Sequence, residues 1–308
     1  MLTFRNRRAS NGWAAVALSG AHAHAVAVDA PAGARPVVRW AQALDWAQPA
    51  RALAAARRQH GLGASSNVLV LQRPDYQMVL LEAPELPRDE WRDGVRWQLR
   101  EAVEFDVGDA AVDVLELPAD PQQRRKPQLL AVAAARRTLV PLVAQAQEAR
   151  VPVQAIDIVE TALRNISALA ADGTRAQALL SLEAQHGTLV ITTGCDLLLA
   201  RHFDLGTEPL ASPEIDGTSP ALDRLALELQ RTFDNFERQF NHLSLGRLLL
   251  AADPPQPGLA EALAGLLYVP VAPLRLEELL DLSRVPELHE PAAQARYLCA
   301  LGAALRNR

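Results

Sequence analysis

The stretch SLEAQHGTLVITTGCDLLLARHF, residues 181–203, decides the fold. Two turn signals, Gln185-His186-Gly187 and Gly194-Cys195, separate runs rich in Leu, Val, Ile and Thr. That pattern predicts strands over 178–183, 188–192 and 197–203, joined as an antiparallel meander. The chain opens on a similar theme, with strands over 13–18 and 23–29 around Ser19-Gly20. Further strands are expected at 67–72, 77–82, 112–117, 129–134, 247–252 and 269–271, and one runs into a helix across 151–173.

Between the strands lie helical patterns. Residues 41–60 are rich in Ala, Leu and Arg and stop at Gly61-Leu62-Gly63, which predicts a helix with a glycine terminator. Residues 88–105 place Trp91, Val95, Leu99 and Val103 at i+4 intervals along one face. Helices also follow over 138–149, 258–267 and 292–305. The most regular is ALDRLALELQRTFDNFERQF, where Leu222, Leu225, Leu229, Phe233, Phe236 and Phe240 define one continuous stripe suited to packing on a sheet. Proline, serine, glycine and acid in 206–220, and charge in 118–127, predict mobile or solvated surface loops.

Composition bounds the function. The chain has 308 residues, 49% hydrophobic and 22% charged, enough for two cores, and a formal net charge of −5. That charge argues against a nucleic-acid partner, because neutralising phosphates needs a concentrated basic face. Membrane contact is expected only through a partner, since no run approaches the ~18 apolar residues of a span. The start MLTFRNRRASNGWAAVALSGAHAHA reads as a strand pair rather than a secretory signal, since its apolar run continues through His22 and His24. Arg5, Arg7 and Arg8 beside Leu2 and Phe4 read as a frayed tail that could touch anionic lipid. Cys195 and Cys299 match no metal or CxxC spacing and are expected to be reduced, buried thiols, which fits the cytoplasm.

Sharper chemistry finds little support. His22 and His24 share a strand face but lack further ligands, so a surface pair is expected. Ser181, His186 and Asp196 share the meander without a nucleophile elbow. Gly61-x-Gly63 lacks a third glycine, and no GxxxxGK occurs.

The order of elements, together with MLTFRNRR, DGVRWQLREAVEFDVGDAAVDVLEL, VPVQAIDIVETALRNISAL, LLLARHFDLG, ALELQRTFDNFERQF and CALGAALR, resembles the PilM-like type IV pilus assembly proteins, most of all their MshI branch. The resemblance implies an α/β, actin-like (ribonuclease H-like) two-lobed fold with an inserted small α+β subdomain, as in PilM and FtsA. It divides the chain into 1–66 as the first part of the N-terminal lobe, 67–152 as the insertion, 153–175 as the return and 176–308 as the second lobe.

It also implies where a nucleotide would sit. Nucleotide-binding members use an Asp with flanking glycines at the first strand end, an Asp-x-Gly opening the meander and a Gly-Gly turn. Acid holds hydrated magnesium, and glycine lets backbone N–H groups reach the phosphates. Here Ala17 and Ser19, then Ser181 and Glu183, then Ala252 and Asp253 occupy those positions. A Glu183 carboxylate about 5 Å from a phosphate charge would oppose binding by ~3 kcal/mol at an effective dielectric near 20. A pseudo-ATPase with neither ATP nor magnesium as cofactor follows.

The resemblance further implies a scaffold at the cytoplasmic face of the bacterial inner membrane. It would bind the N-terminal tail of a PilN- or MshJ-like membrane protein and meet other platform components, with self-association into a homo-oligomer left open. The tail's cleft lies between the inserted subdomain and the lobe holding both chain ends, with Trp97, Glu101, Phe105, Asp113 and, at the strand–helix join, Asp157 as candidate contacts, the acids serving the tail's basic residues. Trp97 and Phe105 serve equally as core plugs of the subdomain. Two alternatives stay open: an active actin-like ATPase or sugar-kinase-like enzyme using Glu183 or Asp204, and the cytoplasmic part of a GspL-like type II secretion protein, a family that normally continues into a membrane span.

Overall fold

The first two strands form an antiparallel pair because small apolar residues alternate across them, and everything else in the first lobe builds on that pair. The computed structural model describes residues 12–118, 126–171, 173, 175–211 and 219–306. The basic start and parts of the loops expected at 118–127 and 206–220 lie outside the described residues.

In chain order, the first lobe holds β1 (Gly12–Ser19), β2 (His22–Asp29), β3 (Val37–Asp45), α1 (Pro49–His60) and β4 (Ser66–Val70). A smaller unit follows, with β5 (Gln77–Glu82), α2 (Trp91–Gly94), α3 (Arg96–Leu99), β6 (Ala110–Leu117), β7 (Gln128–Ala135) and α4 (Arg136–Glu148). The chain returns through β8 (Ala155–Asp157) and α5 (Val159–Ala170). The second lobe comprises β9 (Ala176–Leu182), β10 (Gly187–Thr193), β11 (Asp196–Phe203), α6 (Thr207–Leu210), α7 (Pro220–Gln239), β12 (Leu245–Ala252), α8 (Leu259–Leu266), β13 (Val271–Pro273) and α9 (Leu276–Leu279), before a closing α10 (Pro291–Ala304).

The two large sheets repeat one topology. Their strand orders are β3-β2-β1-β4-β8 and β11-β10-β9-β12-β13, and a separate sheet β5-β7-β6 forms the insertion. In each large sheet the first three strands are an antiparallel meander and the last two are parallel additions. This is a mixed α/β, two-lobed actin-like, ribonuclease H-like fold with an inserted subdomain.

Side-chain alternation fixes what each sheet face meets. Leu180, Leu189, Ile191, Leu248 and Leu250 cover α7, whose stripe of Leu225, Leu229, Phe233 and Phe236 is buried as its spacing predicts. Leu179, Val190 and Leu249 point to the opposite face, into a core shared with α5, α10 and the first sheet's Val68 and Val70. The last helix therefore leaves the lobe that precedes it and packs on α5, β1 and β2. At that crossing a Cβ on Gly302 would stand 2.1 Å from the Ala162 carbonyl oxygen, so only glycine permits the approach.

Several expectations need correction. The helix predicted over 41–60 is a strand and then a helix, because 37–45 pairs with β2 along its length, with one register shift between Ala27 and Val28, and Val26 lies opposite Ala41 and Ala23 opposite Leu44. Sheet pairing overrides the helical composition. The helix over 88–105 is a tight turn followed by α2 and α3, ending at Leu99. Trp91, Val95 and Leu99 still face the subdomain core as their spacing requires. The strand expected to enter α5 spans only 155–157, and the last strand lies at 271–273 rather than 269–271. The linker after β11 is not wholly loop. Its start forms α6, and Thr207 and Glu208 donate their N–H groups to the carbonyls of Glu183 and Ala184, both at 2.8 Å. Cys195 is exposed in the β10–β11 turn rather than buried, whereas Cys299 on α10 is partly covered. Burial, then the Glu183 and Glu160 charges, push the Cys299 thiol up.

Candidate functional site: the groove between two open sheet edges

β6 ends the small sheet and β8 ends the first large sheet, so each offers an outer row of backbone groups that no described strand pairs. The two edges face a cavity of about 610 Å³ that α5 floors and the chain after α10 closes. Its lining mixes apolar walls, from Leu115, Val132, Ile156 and Leu169, with the polar groups of Asp113, Asp157, Arg164 and Arg306. Cys195 reaches its rim from the second lobe.

The acids in this groove are already engaged. Asp157 Oδ1 accepts the Ile158 N–H at 3.0 Å and the Thr161 hydroxyl, which satisfies donors at the start of α5. Its Oδ2 accepts from Arg306 Nη1 at 2.7 Å, and the same guanidinium lies 5.7 Å from the centre of the Trp13 ring. Asp113 pairs with Arg92 at 2.9 Å and accepts the Val114 N–H at 2.9 Å. Arg164 instead bonds the side-chain oxygen of Asn165 at 2.9 Å, and Asn165 donates to the Gly302 carbonyl at 2.9 Å. The groove's acids are therefore screened, and Arg164 presents positive charge against a neutral amide.

Of the candidate contacts read from the sequence, Asp113 and Asp157 line this cavity. Trp97, Glu101 and Phe105 do not. Trp97 stands on α3 with 70% of its surface exposed, Glu101 is exposed just beyond it, and Phe105 packs partly buried on the subdomain core. The groove residues that sequence reasoning missed, Leu115, Ile156, Thr161, Arg164 and Arg306, carried no local signal. An unpaired strand edge is defined only by what fails to pair with it. Four of the five nevertheless fall inside the quoted words DGVRWQLREAVEFDVGDAAVDVLEL and VPVQAIDIVETALRNISAL.

The three loops expected around a nucleotide also have definite places. Ala17 is buried on β1 and Ser19 is exposed at its end. The next residue, Gly20, turns at φ +59° and donates its N–H to Gln72 Oε1 at 2.5 Å. The other two loops meet at one end of the second sheet, where Asp253 donates its N–H to the Leu182 carbonyl at 2.8 Å. Ser181 pairs with Thr188 on one side and Ala251 on the other, with Ala252 opposite Leu182. Desolvation raises the Glu183 carboxyl against the lowering pull of His186, and the Asp253 charge raises it further. Asp253 is raised by the same desolvation, opposed by Arg296. In both, burial favours the uncharged carboxyl over the carboxylate.

His22 is exposed as expected, whereas His24 is half-buried. It packs edge-on against Tyr297 with ring centres 4.8 Å apart, and its pKa is lowered to about 4 by burial, then by Arg296 and His22. Among the described residues no group of three or more His, Cys, Asp or Glu is placed to hold a metal, and no helix is long and apolar enough to cross a membrane.

No family model matches this sequence, and a search of curated proteins finds none that aligns significantly. Solved structures do match. The chain superposes on a PilM-PilN type IV pilus biogenesis complex with a TM-score of 0.71 and 21% identity, over 94% of this chain and 97% of that one. A Bacteroides thetaiotaomicron protein with an actin-like ATPase fold and unknown function superposes at 0.50 with 10% identity, over 92% and 96%. The cytoplasmic domain of EpsL, an inner-membrane component of the Vibrio cholerae type II secretion system, gives 0.47 with 15% identity, over 80% and 84%.

Proposed function

We propose that this protein is a non-catalytic scaffold of a type IV pilus assembly platform, of the MshI branch of PilM-like proteins, working at the cytoplasmic face of the inner membrane. Its groove takes the short N-terminal tail of a PilN- or MshJ-like membrane protein in extended form. The observation that carries this reading is the cavity of about 610 Å³ bounded by the open edges of β6 and β8. An extended peptide gains affinity from exactly such unpaired backbone groups, and alternate side chains reach the apolar walls. The fold likeness to the PilM-PilN complex supports the same assignment.

The degenerate loops support the absence of chemistry. Ala17 offers no magnesium ligand, and Glu183 and Asp253 put charge and bulk where phosphate needs glycine. A tail suited to this groove is mainly apolar, with an acceptor or acidic group near Arg164, because Asp113 and Asp157 are held by Arg92 and Arg306. That revises the sequence-level expectation of acids waiting for basic residues.

The test is fluorescence anisotropy with labelled N-terminal peptides of PilN- and MshJ-like proteins. Saturable micromolar binding is expected, weakened about tenfold or more by Cys195→Trp, which fills the rim, and by Arg164→Glu; a tenfold loss equals about 1.4 kcal/mol. Trp97→Ala separates a wider footprint from the groove alone. No binding by any tail, with micromolar magnesium-ATP binding in calorimetry, would replace the scaffold with the ATPase reading.

A further inference from the structure

Glu160, in the first turn of α5, is fully buried with none of its surface exposed. A carboxyl there requires partners, since an uncompensated buried charge is strongly unfavourable. Its partners come from separate parts of the molecule. Tyr76 donates its hydroxyl at 2.7 Å, and Arg73 Nη1 lies 3.9 Å away, both from the connection between the first sheet and the inserted one. His202 Nε2, from β11 in the second lobe, contacts Oε1, the oxygen that Arg73 also approaches and opposite the one Tyr76 bonds, and its Nδ1 meets Thr188 Oγ1 on β10 at 3.1 Å. Burial, then the Glu160 charge, push the Tyr76 hydroxyl well above its ordinary value, which keeps it a donor.

The same turn of α5 has a second face. Asp157 and Thr161, three residues before and one after Glu160, line the groove on the far side of the helix start. The two faces share one turn of helix, because Asp157 caps the turn whose Glu160 side chain meets His202 of the second lobe.

We propose that Glu160 and His202 form a clasp that fixes the second lobe to α5 and to the root of the inserted sheet without a bridging ligand, and that through it the groove wall is held by the second lobe. The polar contacts are all made by the chain itself, so the lobes need no nucleotide or cation between them to stay joined. Opening the clasp frees the start of α5, and with it one wall of the groove. This inference concerns the joint and stands whether or not a pilus tail occupies the groove.

Hydrogen-exchange mass spectrometry on the full chain tests it. In the unliganded protein, peptides spanning 71–76, 157–163 and 198–203 should be protected, with no change on adding magnesium and a non-hydrolysable ATP analogue. His202→Ala should raise exchange in all three segments together, by tenfold or more. His202→Gln, whose amide can still donate to Glu160, should restore most of the protection, and Tyr76→Phe should give a smaller rise in the same three. If His202→Ala unfolds the chain, Tyr76→Phe and His202→Gln carry the test alone. Exchange that rises only in the segment carrying the substitution, or protection that emerges only with nucleotide, overturns the clasp.

Discussion

Asp157 shows how little a residue's type says about its availability. From sequence it is an acid at a strand–helix join, free to greet a basic partner. In the structure it caps α5 and pairs with Arg306, 149 positions away. No local pattern announces so distant a partner, whereas departures at the expected nucleotide loops are legible because they depend on identity at a motif position. Asp157→Asn should keep most of the cap and lose the charge-assisted bond, destabilising the protein by about 1–3 kcal/mol in urea unfolding. Arg306→Ala should cost more than the pair is worth, because it strands a carboxylate that is nearly covered. His24 makes a pH prediction. Its folded pKa lies near 4, below the ordinary 6.5, so the unfolded chain binds more protons between those values. Stability should therefore be fully present above about pH 6.5 and fall as the pH drops towards 4, by on the order of 2 kcal/mol after allowing for solvent screening. His24→Gln should flatten that slope in unfolding midpoints measured across the window.

Elements were readable in proportion to how much of their pattern is local. The α7 stripe could be predicted residue by residue, since a 3.6-residue period with Phe233 and Phe236 at its centre has one packing solution on a sheet. The second half of β3, residues 41–45 (AQALD), could not, because it is rich in helix-favouring Ala, Gln and Leu and is a strand through its pairing with β2. The start of α6 was hidden for a related reason, as its anchors are carbonyls of the β9–β10 turn. The crossing of α10 on α5 was invisible too, and it rests on Gly302. Gly302→Ala must move either helix, since its new Cβ would meet the Ala162 carbonyl at 2.1 Å. A loss of about 1–3 kcal/mol or more is expected by thermal or chemical unfolding. Gly265→Ala in α8 is the matched control. Nothing lies within 4 Å of its added Cβ, so a neutral or slightly stabilising effect, up to about 1 kcal/mol, is expected.

At the scale of the whole molecule, the repeated sheet order explains why the fold is recoverable although the expected nucleotide loops depart from their motifs. Two copies of one strand order survive as long as the alternation of Leu, Val and Ala survives. The loops at their ends answer to a different constraint, set by whatever ligand they hold. On the scaffold reading that constraint has lapsed, and the crevice is instead joined through Glu160 and His202. The consequence is measurable as linkage. A ligand at a hundred times its Kd stabilises the folded state by about 2.7 kcal/mol, which moves the melting temperature of a chain this size by several degrees. Millimolar magnesium-ATP should therefore leave the melting temperature unchanged within error. Replacing Glu183 and Asp253 together by glycine should remove the opposing charge and still not restore binding, because Ala17 and Ser181 supply no carboxylate for the cation. Binding regained by that double change alone would mean that repulsion at two positions, rather than loss of the metal site, had silenced the crevice.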